Sequence, residues 1–172
     1  MGRERRIALV IVVLLAVSGG RLLFKTKDIP AFRQESGSVF AVYFASSTQI
    51  MLEPEFYWGE PSLRDLAQLL VAGPADDDLL AILPPQTVIR DVYRRDDVAY
   101  VDFSRHLVTN HPGGTSGELV TIYGIVNTFA SLPGIERVQI MVEGRPVESL
   151  AGHVYTGEPL YPDYSLAGAW LI

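Results

Sequence analysis

The side chains able to do chemistry are few and spread along the chain. His106 and His111 lie in a polar stretch shortly after Asp102. Two imidazoles and a carboxylate form a zinc ligand set. The i, i+4 spacing that places two rings on one helix face is missing, so both histidines read as surface loop residues. His153 stands alone. Asp76-Asp77-Asp78 gather carboxylates, but calcium loops space their oxygens at alternate positions and close on a distal bidentate Glu. This run reads as a solvated loop. No G-x-S-x-G elbow is present for a serine nucleophile. Gly113 to Gly117 opens a helix, and helix N-termini attract anions. Neither G-x-x-x-x-G-K-[ST] nor G-x-G-x-x-G is satisfied there, so it reads as a loop and cap.

Asp102, among Tyr100, Val101 and Phe103 at a strand end, has two readings. It is a general base, or it is a carboxylate accepting hydrogen bonds from the following loop, which stabilise its charged form. Phe56, Tyr57 and Trp58 form an aromatic cluster within a turn-rich stretch. Such residues anchor interfaces, rest at bilayer headgroups, or cover a core. They are the candidate partner contact. No catalytic, metal or cofactor-binding residue is assigned, and no cofactor is expected.

The elements that must position these groups follow from periodicity. Residues 39–45 are apolar on both sides of the pleat and read as a buried strand. Residues 46–61 read as turns. Ser62 caps a helix with Asp65 three residues on; Leu63, Leu66, Ala67 and Leu70 make its apolar stripe, broadened by Leu69, and Gly73-Pro74 stops it. Residues 87–94 alternate, with Val88, Arg90, Val92 and Arg94 facing one way and Ile89, Asp91 and Tyr93 the other. Residues 98–103 alternate too, and Arg95-Asp96-Asp97 joins the pair as a hairpin. Thr115 and Glu118 have capping-box spacing at the start of a second helix striped by Leu119, Ile122, Tyr123, Val126 and Ala130. Leu132-Pro133-Gly134 ends it, and Val138, Ile140 and Val142 mark a last strand. The reading is an α+β, two-layer domain in β-α-β-β-α-β order, with two helices on one face of a four-stranded sheet. Residues 151–172 read as an irregular tail.

The chain has 172 residues, 48% of them hydrophobic, which suits one domain of ordinary size and excludes wholesale disorder. The absence of cysteine excludes disulfides, thiolate-bound metals, a thiol nucleophile and a lipidated cysteine. A pI near 5.0 and net charge of −6 argue against nucleic-acid binding. The charge is uneven. Residues 1–33 hold seven basic and two acidic groups (7 − 2 = +5), and residues 34–172 hold seven and eighteen (7 − 18 = −11).

Arg3, Arg5 and Arg6 precede an apolar run from Ile7 to Val17 that resumes, past Arg21, at Leu22-Leu23-Phe24. Basic residues hold that end in the cytoplasm. Residues 1–24 therefore read as an uncleaved single-pass anchor of about 17–25 residues. The alternative is a signal peptide with a site near Ala16-Val17-Ser18. Residues 25–37 read as a linker, and everything beyond them as extracytoplasmic.

The body resembles the GerMN domain family. The resemblance is carried by Val42-Tyr43-Phe44, by Leu69-Leu70-Val71-Ala72-Gly73-Pro74, and by Ile82-Leu83-Pro84-Pro85-Gln86-Thr87. It continues through Val98-Ala99-Tyr100-Val101-Asp102-Phe103-Ser104, Gly117-Glu118, Phe129-Ala130-Ser131-Leu132-Pro133-Gly134-Ile135 and Val142-Glu143-Gly144-Arg145-Pro146-Val147. It covers residues 38–150. It implies an extracytoplasmic bacterial module, anchored by a lipid or a helix, without an established catalytic site. It also implies work in spore envelope assembly or beside envelope signalling proteins, and a fold similar to ring-building modules of secretion machines. One copy is present, without a lipoprotein cysteine.

The expected function is non-catalytic binding or scaffolding in the bacterial cell envelope, at the inner membrane, linked to sporulation or germination. The expected partners are envelope or membrane proteins, or peptidoglycan. Two alternatives stay open: a peptidoglycan-acting hydrolase using Asp102 with His106 or His111, and a subunit of a homo-oligomeric ring.

Overall fold

A computed structural model describes residues 38–168. The expected anchor and linker, residues 1–37, lie outside the described residues. Among the described residues no helix is long and apolar enough to cross a membrane.

The first strand, β1 (Val39–Ser46), buries Phe40, Val42 and Phe44 on its core face. Its neighbour is β2 (Leu52–Trp58), paired antiparallel from Val39↔Trp58 to Ala45↔Leu52. This strand falls in the stretch expected to be turns, so the aromatic cluster lies in a strand, not a loop. Glu53 and Pro54 hide it, since both are poor strand formers. Proline is tolerated because β2 is at the sheet edge, where a missing N–H costs no ladder bond.

Helix α1 (Leu63–Ala72) begins as its sequence dictates. Ser62 Oγ accepts from the Asp65 N–H at 3.2 Å, and the Ser62 N–H donates to Asp65 Oδ2 at 2.8 Å. The helix buries Leu66, Ala67 and Leu70 and ends at Gly73, whose φ of 79° suits glycine. The short β3 (Leu79–Leu80) joins the other side of β1, giving a three-stranded sheet in the order β2-β1-β3.

The second sheet is separate. β4 (Ile89–Arg95) and β5 (Val98–Phe103) form the expected hairpin. The one-turn helix α2 (His106–Thr109) and the long helix α3 (Thr115–Ala130) then carry the chain over to β6 (Arg137–Val142), which lies parallel to β5. Adding β7 (Arg145–Pro146) gives the order β4-β5-β6-β7. The single four-stranded sheet expected from the sequence is thus two sheets, and β1 does not join the other three strands. The reason is at the edge of β1. Thr128 Oγ1 accepts from the Tyr43 N–H at 2.9 Å, and Ser131 Oγ donates to the Ala41 carbonyl at 3.0 Å. The end of α3 occupies the position a further strand would take. Both sheets and both long helices still bury one shared core, including Phe44, Leu66, Phe103, Ile125 and Ile140.

Two local expectations are also overturned. The register of β4 shifts at Arg90, so Ile89 and Val92 both pack toward the core although strict alternation puts them on opposite faces. The Thr115–Glu118 capping box does not form, because Gly114 is the N-cap and supplies no side-chain bond. The tail beyond residue 150 lacks long elements, yet it is tied down. Val138 and Leu160 exchange backbone bonds at 2.9 Å, Asn127 and Asp163 bond reciprocally, and the Gly168 N–H donates to the Leu52 carbonyl at 3.1 Å.

Candidate functional site

Asp102 is buried on β5. Its Oδ1 accepts from the Gly144 N–H at 2.8 Å, and its Oδ2 meets Arg90 Nη1 at 3.3 Å. The same guanidinium reaches Glu143 Oε2 at 3.1 Å, and Glu143 Oε1 accepts from the Arg105 N–H. This is the hydrogen-bonded alternative for Asp102, with the donor coming from the turn after β6 instead of the loop after β5. Arg90 reaches the network because it is the bulged residue of β4. The carboxylates therefore clamp a strand, a turn and a loop together.

The two histidines do not share a site. His106 Nδ1 lies 3.4 Å from Ser104 Oγ. His111 Nε2 lies 3.2 Å from Thr121 Oγ1, and its Nδ1 accepts from the Gly113 N–H at 3.0 Å. His153 is exposed. Asp76, Asp77 and Asp78 are exposed, as expected; Asp76 Oδ1 accepts from the Asp78 N–H at 2.9 Å. Among the described residues, no three His, Cys, Asp or Glu side chains stand close enough to hold a metal.

Glu118 was missed as a central residue because its spacing from Thr115 imitates a cap. It is fully buried, and its carboxylate accepts the N–H groups of Leu150, Ala151 and His153, each at 2.8 Å. Burial works against its charge, but the bonds from the 150–154 turn outweigh burial and hold the carboxyl below its ordinary pKa. An acidic residue at the start of a helix, ahead of a turn with a single glycine, Gly152, far along the chain, is a faint signal for this role.

The aromatic cluster splits across the pleat of β2. Tyr57 turns inward and stacks on Phe40 with ring centroids 5.5 Å apart, while its hydroxyl bonds to Glu55. Burial and the Glu55 carboxylate raise the pKa of that phenol. Phe56 and Trp58 turn outward, 51% and 72% exposed, and Val39 opposite Trp58 is 47% exposed. Alternation along β2 puts Phe56 and Trp58 on one face, and the pairing of Val39 with Trp58 adds Val39 to it. Glu55 accepts from the Ala75 and Asp76 N–H groups at 3.0 Å, which fixes β2 to the loop after α1.

The fold and these tied-down side chains define a small α+β module whose ionisable groups brace loops and whose outward aromatic groups are left in solvent. The family model described as Germane, sporulation and spore germination, matches residues 41–148, and the chain belongs to that family. Three solved structures share the fold at a TM-score of 0.54 each. A candidate lipoprotein from Clostridium perfringens is 25% identical, with 77% of this chain and 93% of that one covered. The tandem GerMN domains of the sporulation protein GerM from Bacillus subtilis are 17% identical, covering 73% of this chain and 45% of that one. The first GerMN domain of the same protein is 18% identical, covering 73% and 96%. The described fold therefore corresponds to one such domain. No curated protein matches the chain.

Proposed function

We propose that this protein is a membrane-anchored, extracytoplasmic binding module of the bacterial cell envelope that works in sporulation or germination and transforms no substrate. The observation that carries this is the outward face of β2. Phe56 and Trp58 spend large apolar surface on solvent while contributing little to the core, which is the signature of a contact surface. The family's description supports the setting, and the lipoprotein among its structural relatives supports a place at a membrane. Here the basic, apolar residues 1–24 would serve as the anchor, and residues 25–37 as the tether. Anchoring raises the local concentration of the domain near a membrane partner to about the millimolar range, so a modest surface suffices. Asp102 and His111 favour no rival enzymatic reading, because both are engaged in hydrogen bonds that hold loops.

The test is crosslinking in cells with the full chain, comparing wild type with Phe56→Ala/Trp58→Ala. Tyr57 is left in place because its ring belongs to the core side. Recovery of the wild-type partner should fall at least about fivefold, as expected for truncated interface anchors. Unchanged recovery rejects this surface.

A further inference from the structure

We propose that residues 169–172 of this chain add a parallel strand to the free edge of β2 and cover Phe56 and Trp58, so that a partner must displace them. This rests on the binding-module reading and supplies the regulation of that same surface.

The edge of β2 is defined by its own hydrogen bonds. The Ser46 N–H donates to the Met51 carbonyl and the Gly59 N–H to the Ser38 carbonyl, each at 3.0 Å. In an antiparallel pair, bonded and unbonded positions alternate. The odd-numbered residues of β2 therefore bond to β1, and the backbone groups of Leu52, Pro54, Phe56 and Trp58 point away from it. Among the described residues no strand lies on that side.

The chain itself turns onto this edge. Ala167 forms a parallel bridge with Leu52, and the Gly168 N–H donates to the Leu52 carbonyl at 3.1 Å. Ala167 is extended, with φ −89° and ψ 134°. A parallel bridge fixes direction, so a chain continuing from Gly168 in this conformation heads along β2 toward Trp58. Both strands advance by about 3.3 Å per residue. Position 169 then falls beside Pro54, 171 beside Phe56 and 172 beside Tyr57. In this register the Pro54 carbonyl would accept from the Trp170 N–H. The Phe56 N–H would donate to the Trp170 carbonyl, and the Phe56 carbonyl would accept from the Ile172 N–H.

The sequence suits the place. Ala169-Trp170-Leu171-Ile172 has no ionisable side chain. Alternation would set Leu171 on the face of Phe56, directly beside it and diagonal to Trp58. An edge strand with outward apolar groups invites pairing with foreign strands, and proteins cover such edges. The cover is also releasable. Pro54 has no N–H, so the Gly168 carbonyl gains no ladder bond from it. A partner that holds the aromatic face more tightly than these four residues do shifts the equilibrium to the open form.

The experiment is amide hydrogen exchange by NMR on the full-length, isotope-labelled chain in detergent micelles, comparing wild type with Leu171→Glu and Leu171→Val. The Tyr57 amide, which bonds to β1, is the internal reference. Leu171→Glu should speed exchange at the Phe56 amide about tenfold, as for a closed form favoured ten to one, and leave Tyr57 unchanged. Leu171→Val, which keeps the apolar contact, should stay close to wild type. Crosslinking in cells should recover about threefold more partner with Leu171→Glu than with wild type. Equal Phe56 exchange in wild type and Leu171→Glu overturns the proposal. So does protection that is lost on dilution, which assigns the strand to a second copy. Lost protection with unchanged recovery overturns it too, since the segment then does not compete with the partner. If the exchange results hold while none of the three chains recovers a partner, the binding-module reading fails and the strand pairing stands.

Discussion

His111 is a residue whose tautomer the hydrogen bonds dictate. Its Nδ1 accepts from the Gly113 N–H, and Thr121 Oγ1 is committed as a donor to the Ile82 carbonyl at 3.0 Å. The ring must therefore be neutral and donate its Nε2–H to Thr121. A second proton at Nδ1 would face the Gly113 N–H. Burial lowers the pKa of this imidazole, against an opposing pull from the Glu118 carboxylate. The unfolded chain takes up that proton near pH 6.5, roughly the ordinary value. The folded chain does so only at lower pH, so the unfolded state binds more protons between the two. Stability from this group is complete above about pH 6.5 and is lost as pH falls from there through the folded pKa. The urea midpoint should drop more between about pH 7 and pH 5 in wild type than in His111→Gln. Parallel slopes in the two proteins would remove His111 from the account of acid sensitivity.

Among the elements, the closure of β1 by a helix is the feature that departs most from expectation. Thr128 is fully buried and accepts the Tyr43 N–H that a strand would otherwise satisfy. Thr128→Val keeps the shape and removes the acceptor, leaving that N–H buried and unpaired. The cost should be about 1–3 kcal/mol, read from denaturant midpoints, with faster hydrogen exchange at the Tyr43 amide. No change in exchange would mean the bond is dispensable. Such a contact cannot be read along the chain, because it joins residues 85 positions apart. The local signals were legible: the Ser62–Asp65 cap, the apolar stripe of α1, the β4–β5 hairpin and the alternation in β6. What stayed hidden was decided by distant partners. β2 forms despite Glu53 and Pro54 because β1 offers it a full ladder, and the bulge at Arg90 exists where that arginine meets Asp102 and Glu143. The outward Phe56 and Trp58 were visible as aromatic residues, but their separation from Tyr57 required the strand assignment.

Across the whole molecule, Glu118 connects the crossover helix to the segment that follows the second sheet. Its carboxylate replaces solvent for three backbone donors of a turn more than thirty residues away. Glu118→Ala would strand those donors in the interior and should cost about 3–5 kcal/mol. Limited proteolysis should then cut first near residues 150–154. Glu118→Gln, which keeps an acceptor oxygen, should lose less. Similar losses in both variants would show that the charge, and not the acceptor geometry, holds the turn.

The bond from Gly168 to the Leu52 carbonyl sets an order of events. Leu52 belongs to the first hairpin among the described residues, and this partner is made more than a hundred residues later. That hairpin must wait, half-covered, while the more than one hundred intervening residues are synthesised, since contacts of such long sequence separation are slow to close. A nascent chain in this interval exposes apolar strands, and any chaperone that attends it would find its task on this hairpin finished only when Ala167 and Gly168 arrive.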